Sequence, residues 1–344
     1  MQMNKEYFET LVKELFAIDS PSGFCKEAIN YIASKCDELN VSYFRSEKGN
    51  LYIPVDGKDN RHSLAFSAHC DTLGLMVRSI KSNGNLAITK VGGPLLNTLD
   101  GEYCRIYTRN GKCYTGTILS TSPSVHVFKD SSTKEHIEEN MEVRIDEVVS
   151  SKEDVQKLGI ENGDYIAYDP KTVLCESGYI KSRFLDDKLS VCILMSLLES
   201  YKTNHIVPER GFYICISTYE EVGHGASYVP EDVKEFISVD MGCIGEDLSC
   251  TERDVSICAK DSGGPYDYDI TTLMSNLAKE NNIRHAIDIY PFYGSDTGAA
   301  LKGGNNIKGG LIGPGVAHSH GMERSHIDGV IATFDLLRAY IDRK

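Results

Sequence analysis

Apolar and polar residues alternate along the chain with two different periods, and the period changes twice. Two segments near the N-terminus repeat their apolar positions with the period of a helix, which predicts helices over residues 4–17 and 25–38. Short apolar runs follow at residues 51–55 and 63–68, and such runs are typical of strands. The chain therefore begins as an α/β protein.

The pattern changes between about residues 73 and 165, where many short alternating runs are interrupted by glycine and asparagine. The Asn110-Gly111 pair between two such runs indicates a β-hairpin. This region predicts a small all-β unit, either a barrel or a sandwich, and the alternative is one sheet continuous with the rest of the protein. We favour an inserted domain, because candidate site residues lie on both sides of the region and none lies clearly within it.

The α/β alternation returns from Tyr179 onward. The predicted helices cover residues 186–200, 270–281 and 331–341, and the predicted strands cover residues 211–217, 236–239 and 307–312. The expected fold class is α/β: a catalytic domain built on a mixed sheet from residues 1–72 and 165–344, with a barrel-like β domain inserted at residues 73–164. A chain of 344 residues is long enough for this arrangement.

Acidic and histidine residues occur where several apolar runs end. They are His69 and Asp71, Asp186 and Asp187, Glu220 and Glu221, Asp240, and His318 and His320 followed by Glu323. Because sites in open α/β sheets form outside the carboxyl ends of the strands, these side chains can converge on one point. Imidazole together with carboxylates suits zinc, cobalt or manganese. The pattern predicts a two-metal hydrolase.

The first acids suggest separate roles, although each also has a purely structural interpretation. His69 and Asp71 lie two residues apart at a strand end and share a face, so Asp71 can orient a metal-binding His69. A carboxylate at the start of a helix is favourable whatever its function, but adjacent carboxylates such as Asp186 and Asp187 repel each other without a cation. Asp186 is therefore the candidate bridge between two metals.

The later residues complete the candidate set. Glu220 and Glu221 follow the most apolar strand; Glu221 is a candidate ligand, and Glu220 can take a proton from the attacking water and pass it to the leaving amine. Asp240 is a candidate terminal ligand, although in isolation it could equally belong to a turn. Either His318 or His320 suffices as the last ligand. Glu323 and Arg324 are expected to brace the loop that carries these histidines. His224 is expected in a loop near the site, and His326 in a structural role or behind the ligands.

Composition restricts the partners and the compartment. A formal net charge of −14 argues against binding to nucleic acid or an anionic membrane. The 11 cysteines are scattered, with no CxxC pair, which disfavours a disulfide framework and favours a reducing cytoplasm. The N-terminus lacks an apolar signal core, and no apolar run approaches the roughly 18 residues that a membrane span requires.

Several short motifs, taken together and in order, resemble the M42 family of metallo-aminopeptidases, the glutamyl aminopeptidases that include the tetrahedral peptidases. The motifs are Ser20-Pro21-Ser22-Gly23, Ala68-His69-Cys70-Asp71, Val91-Gly92-Gly93, Leu185-Asp186-Asp187-Lys188, Thr218-Tyr219-Glu220-Glu221-Val222-Gly223, Ser238-Val239-Asp240 and Gly294-Ser295-Asp296-Thr297. The resemblance runs over essentially the whole chain, and the Glu220-Glu221 motif is its most specific part.

The resemblance implies a zinc-exopeptidase-like catalytic domain that binds two divalent ions, with zinc expected and cobalt or manganese as alternatives. It makes His69 and Asp240 terminal ligands on different metals, bridged by Asp186. Glu221 and a C-terminal histidine complete the ligands, Glu220 is the general base, and Asp71 supports the ligands. Two positions depart from the family pattern. Lys188 replaces an arginine, and the last ligand could be His318 or His320; we favour His320, which the Ser319–His326 segment matches better.

The resemblance also implies peptide substrates with a free N-terminus and a homo-oligomer such as a dodecamer, in which the inserted domain serves contact between subunits or access of substrate. The loops at residues 261–267 and 292–297 are expected walls of the substrate pocket, but side-chain preference stays open. The alternatives are a deacylase or carboxypeptidase on the same scaffold, or a non-catalytic assembly protein. A nucleic-acid-binding module is disfavoured by the charge.

Overall fold

A computed structural model describes residues 2–343 of the protein. The chain forms two compact units, one from residues 72–170 and the other from the segments up to residue 71 and from residue 171 onward. The sequence placed the end of the insertion at residue 164. The structure places it at residue 170, because the strand Tyr165–Tyr168 pairs with two other strands of the smaller unit.

The segment before the smaller unit contributes two amphipathic helices and the first strands of the larger unit. Its elements are α1 (Lys5–Phe16), α2 (Lys26–Glu38), β1 (Phe44–Arg45), β2 (Leu51–Val55) and β3 (Asp59–His69). The apolar stripe of α1, from Phe8 to Phe16, is buried. Asn4 caps the N-terminal end of α1, because its side chain accepts a hydrogen bond from the main-chain N–H of Tyr7.

The smaller unit is a closed antiparallel barrel, as the alternating pattern predicted. Its elements are β4 (Gly74–Ile80), β5 (Leu86–Val91), β6 (Tyr103–Tyr107), β7 (Cys113–Ser120), β8 (Met141–Ile145), α3 (Lys152–Leu158) and β9 (Tyr165–Tyr168). The strands follow the order β4-β5-β8-β7-β6-β9 around the barrel. The turn at Asn110-Gly111 joins β6 to β7, and Gly111 has a φ of 83°, which favours glycine.

The segment after the barrel completes the larger unit. Its elements are β10 (Val173–Leu174), β11 (Tyr179–Ser182), α4 (Leu185–Thr203), β12 (Arg210–Ser217), β13 (Glu235–Val239), β14 (Gly242–Cys243), β15 (Val255–Asp261), β16 (Gly264–Pro265), α5 (Tyr268–Glu280), β17 (His285–Ile289), α6 (Asp296–Lys302), β18 (Lys308–Val316), β19 (Glu323–His326) and α7 (Ile327–Ile341). A separate small sheet joins β10, β11 and β19.

The main sheet is mixed, and its central strands are parallel. The strand order is β1-β2-β12-β3-β13-β18-β15-β16, with β17 added to β15 and β14 to β18. β12, β3, β13 and β18 run parallel to one another. Since such strands are covered on both faces, they are apolar almost throughout; Phe66 and Phe212 are completely buried on neighbouring strands. α4 is buried along nearly its whole length.

The parallel register brings the carboxyl ends of these strands to one edge of the sheet. His69 at the end of β3 lies opposite Ser217 at the end of β12, and Ser67 lies opposite Ser238 near the end of β13. In residues 2–343, no helix is both long and apolar enough to cross a membrane.

Candidate metal centre

The candidate site lies at this edge of the main sheet. His69 is the last residue of β3, Asp240 follows β13 directly, and Glu220 and Glu221 follow β12 in a short 3-10 turn. His320 lies in the loop after β18. Residues far apart in the sequence meet here because the strands that carry them are neighbours and run in one direction.

His69 is positioned so that one ring nitrogen faces the acids. Its Nδ1 lies 2.9 Å from the main-chain oxygen of Asp71, an acceptor, so Nδ1 carries the proton of the neutral ring. Its Nε2 lies 3.1 Å from Asp186 Oδ1 and 3.7 Å from Glu220 Oε2. Burial opposes protonation of His69, but the hydrogen bonds with Asp186 and Asp71 outweigh it and raise the pKa of the ring.

Asp71 joins the end of β3 to the glutamate pair. Its carboxylate is fully buried and accepts a hydrogen bond of 2.5 Å from Ser22 Oγ. It also accepts from the main-chain N–H groups of Glu220, at 3.1 Å, and Glu221, at 3.3 Å. Asp71 thus holds the backbone of both glutamates rather than pointing into solvent.

Asp186 and Asp187 precede the regular part of α4 rather than opening it. Both have non-helical backbone angles, and the peptide bond between them is cis. Asp187 Oδ2 accepts from the main-chain N–H of His69 at 3.1 Å. Asp186 reaches His69 with one oxygen and accepts from Ser319 Oγ with the other, at 3.3 Å. The sequence placed both acids at the start of a helix with Asp186 in the site, and the structure turns both carboxylates to the end of β3.

The acids of the site are buried close together, and this raises most of their pKa values. Burial, with the neighbouring carboxylates, raises the pKa of Asp187, Glu220 and Glu221 well above the usual range, and it raises the pKa of Asp240 to about 7. Asp186 differs, because its contacts with His69 outweigh burial and lower its pKa. A cation stabilises a cluster of buried carboxyl groups of this kind.

The donor atoms of these residues fit divalent metal ions. The ligand atoms of His69, Asp186 and Glu221 lie within 4.8 Å of one another, and so do those of His69, Asp187 and Asp240. Among the described residues, Asp187 Oδ1 and Glu221 Oε1 are buried and have no hydrogen-bond partner. Because an unsatisfied buried oxygen is costly, these two atoms favour a bound cation. Zinc, cobalt and manganese all accept histidine and carboxylate ligands.

The structure places the three C-terminal histidines in surroundings that differ from one another. His320 Nε2 lies 3.7 Å from Asp186 Oδ2 and 3.6 Å from Glu221 Oε2. His318 is exposed. His326 caps α7, since its Nδ1 accepts from the main-chain N–H of Asp328 at 3.0 Å. Only His320 of these three therefore faces the acids within the described residues. His224 is also exposed, with its ring stacked on that of Tyr219.

Lys188, the departure from the family motif, supports α1 rather than the acids. Its Nζ is fully buried and donates to the main-chain oxygens of Leu15, at 3.2 Å, and Ile18, at 2.6 Å. Burial lowers the pKa of Lys188 to about 8. A lysine here satisfies carbonyl groups at the C-terminal end of a helix, a position that favours a positive charge.

Some supporting residues were not predicted individually. Ser22, which donates to Asp71, lies in the Ser20–Gly23 motif, and that motif was the only signal for it. Asp296 was expected in a wall of the substrate pocket. It is instead buried and accepts hydrogen bonds from Ser67 Oγ and Ser217 Oγ, both at 2.6 Å. Asp296 therefore fastens β3 to β12 beneath the site, whereas Phe292 of the same loop is 95% exposed.

Comparison with known proteins defines the class. The family model for M42 glutamyl aminopeptidase matches residues 49–336. The Bacillus subtilis (strain 168) protein named "Putative aminopeptidase YhfE" is 45% identical over 332 residues, which cover 96% of each chain. The chain belongs to the M42 glutamyl aminopeptidase family and is a peptidase, which confirms the resemblance found in its motifs.

Solved structures share the fold. A TET aminopeptidase from the archaeon Thaumarchaeota archaeon SCGC AB-539-E09 has a TM-score of 0.88 at 20% identity, covering 99% of this chain and 97% of that chain. The TET1 peptidase of Pyrococcus horikoshii has a TM-score of 0.85 at 21% identity, covering 98% and 100% of the two chains. These likenesses confirm the predicted fold class, an α/β protein with a mixed sheet and a barrel.

Proposed function

We propose that the protein is an aminopeptidase with two divalent metal ions. His69, Asp186, Glu221, Asp240 and His320 would hold these ions, and Asp186 would be shared between them. The observation that carries this proposal is the convergence of His69 with buried carboxylates whose oxygens, on Asp187 and Glu221, have no other partner among the described residues. Zinc is the expected metal.

Glu220 is the proposed general base. A bound divalent ion supplies Lewis acidity, which polarises a carbonyl group and lowers the pKa of water. Glu220 lies beside these ligands, with Oε2 3.7 Å from His69 Nε2, and its backbone is held by Asp71. Its carboxylate can take the proton of the attacking water and deliver it to the leaving amine. Asp71 keeps both His69 and Glu220 in place.

The charge of the site favours substrates with a free N-terminus. Because bound cations favour the ionised form of nearby acids, the carboxylates gathered here would outnumber the four positive charges of two divalent ions. These carboxylates are those of Asp71, Asp186, Asp187, Glu220, Glu221, Asp240 and Glu323. A negative site attracts an α-amino group and repels an α-carboxylate. This charge supports the aminopeptidase over a carboxypeptidase, as does the name of the B. subtilis relative.

Hydrolysis of a panel of aminoacyl-p-nitroanilides tests the proposal. We expect cleavage of substrates with a free α-amine, no cleavage of their N-acetyl versions, loss of activity on chelation and recovery when Zn²⁺, Co²⁺ or Mn²⁺ is added. The panel also identifies the preferred side chain. Cleavage of the N-acetyl substrates would instead indicate a deacylase or carboxypeptidase, and inactivity with every metal in a protein that binds two ions would indicate an assembly protein.

We further propose that the protein is a homo-oligomer that assembles through its barrel unit. The TET1 peptidase of P. horikoshii is described as able to form a tetrahedron or a large octahedral shell. In the barrel unit of this chain, Tyr103, Val125 and Val127 are 69%, 71% and 73% exposed. Val125 and Val127 lie two residues apart in one irregular segment, and exposed apolar side chains that lie together are typical of a contact surface.

Light scattering during size-exclusion chromatography tests the assembly. We expect a mass several times the 38.1 kDa of one chain, and a smaller mass for Val127→Asp, because an aspartate in a subunit contact would lose its water without gaining a partner. Val207→Asp is the matched control, since Val207 is 56% exposed but lies in the larger unit. A mass of one chain for the unmodified protein contradicts the proposal.

A further inference from the structure

Glu323 connects two of the proposed metal ligands, and we infer that it is a positioning residue that sets the spacing between Asp186 and His320. This inference rests on the proposed two-metal function. Glu323 touches neither substrate nor metal in this role. It would act through the backbone of the two ligands, and thereby determine how tightly the ion shared by Asp186, Glu221 and His320 is held.

The geometry of Glu323 is specific. Its side chain is 2% exposed, and each carboxylate oxygen has its own main-chain donor. Oε2 accepts from the N–H of Asp186 at 3.0 Å, and Oε1 accepts from the N–H of His320 at 3.1 Å. Next to the pairing of Ser182 with Glu323 between β11 and β19, this one carboxyl group therefore links the start of α4 to the interior of the loop after β18.

Both ligands need such a link, because regular secondary structure holds neither of them. Asp186 has non-helical backbone angles ahead of the regular part of α4. His320 has a φ of 65°, in the left-handed region that is uncommon for residues other than glycine. The loop that carries His320 is closed at its base by two main-chain hydrogen bonds between Ala317 and Arg324. Glu323, next to this closure, fixes the interior of the loop to Asp186.

A carboxylate is a costly choice for this position. Burying a charge without a cationic partner is unfavourable, and Asp186 adds a second negative charge beside it. An uncharged side chain would be cheaper to bury and would suit a purely structural role. What the carboxylate provides is two acceptors in one plane, which a glutamine lacks because its amide nitrogen is a donor. The unfavourable burial of the Glu323 carboxylate is therefore explained if this side chain must hold Asp186 and His320 at the same time.

The test compares Glu323→Gln with Glu246→Gln. The glutamine is isosteric with Glu323, but its NH₂ group faces a main-chain N–H, so one of the two links is lost. Glu246→Gln makes the same chemical change at an exposed position. The affinity for Zn²⁺ is measured by competition with a chromophoric chelator, and the number of bound ions is measured by elemental analysis. The unfolding temperature is measured on protein from which a chelator has removed the metal.

For Glu323→Gln we expect one of the two ions to bind about 10–100-fold more weakly, as is usual when a group that orients metal ligands is removed. The other ion should bind as in the unmodified protein, and the metal-free variant should unfold at an unchanged temperature, because removal of a buried like charge offsets the lost hydrogen bond. Glu323→Asp, which keeps the charge but is too short to reach both donors, should weaken the same ion. Glu246→Gln should bind both ions normally.

Two results would overturn the inference. In the first, Glu323→Gln binds both ions with unchanged affinity. In the second, both ions weaken together and the metal-free variant unfolds at a lower temperature, which is the signature of a general structural role. Failure of the proposed function is distinguishable from both, because it would be seen in the unmodified protein as fewer than two bound Zn²⁺ ions.

Discussion

Replacing Glu220 with glutamine is expected to lower kcat by about 10²- to 10⁴-fold, the usual contribution of a general base. The amide cannot accept the proton of the attacking water, but it has the same shape, and the main-chain N–H of Glu220 keeps its hydrogen bond with Asp71. KM and the number of bound ions should therefore change little. Steady-state kinetics on the preferred aminoacyl-p-nitroanilide, with elemental analysis of the same sample, measures all three quantities.

The control for this variant is Glu246→Gln, a change of the same chemistry at an exposed position. It should leave kcat unchanged. If Glu220→Gln retained most of its kcat, Glu220 would not be the base. If it lost its metal ions together with its activity, Glu220 would be a ligand, and the division of roles between Glu220 and Glu221 would be wrong.

Replacing Asp186 with asparagine is expected to reduce the bound metal from two ions to at most one and to lower activity to that of the chelated enzyme. Asp186 Oδ1 faces His69, and its Oδ2 faces His320 and Ser319. An asparagine has one oxygen and one NH₂ group, and the NH₂ group cannot bind a cation. One side of the bridge is therefore lost. Elemental analysis after dialysis and hydrolysis of the same substrate measure the outcome.

Asp247→Asn is the matched control, because Asp247 is exposed and its φ of 64° suits asparagine. It should bind two ions and remain active. Two ions bound to Asp186→Asn with normal affinity would show that Asp186 does not bridge, and the set containing Asp187 and Asp240 would become the better description of the site.

Much of the candidate site could be read from local sequence. His69, Glu220, Glu221 and Asp240 each follow an apolar strand, and strands of this kind end at the same edge of a parallel sheet. The period of the apolar residues also distinguished the helices from the strands and separated the barrel from its surroundings, because that period depends only on how a helix or strand turns its side chains. These predictions needed no knowledge of which strands are neighbours.

Other features depend on contacts between distant segments. The sequence left His318 and His320 as alternatives, and only the path of the loop after β18 turns His320 toward Asp186. The pattern could not show that Asp296 lies beneath β3 and β12 or that Lys188 caps α1, because a charged residue in an apolar stretch does not reveal its partner. The smaller unit extends to residue 170 because β9 pairs with β4 and β6.

The sequence by itself indicated the type of most of the longer elements, the class of the protein and the candidate metal ligands, since these depend on side-chain chemistry and local period. The tertiary structure decided which of those residues meet and what holds them there. Glu323 illustrates the difference: its sequence context suggested only a brace for its own loop, whereas the fold places its two oxygens on the N–H groups of Asp186 and His320. These hydrogen bonds join segments that lie far apart in the sequence and that only the fold brings together.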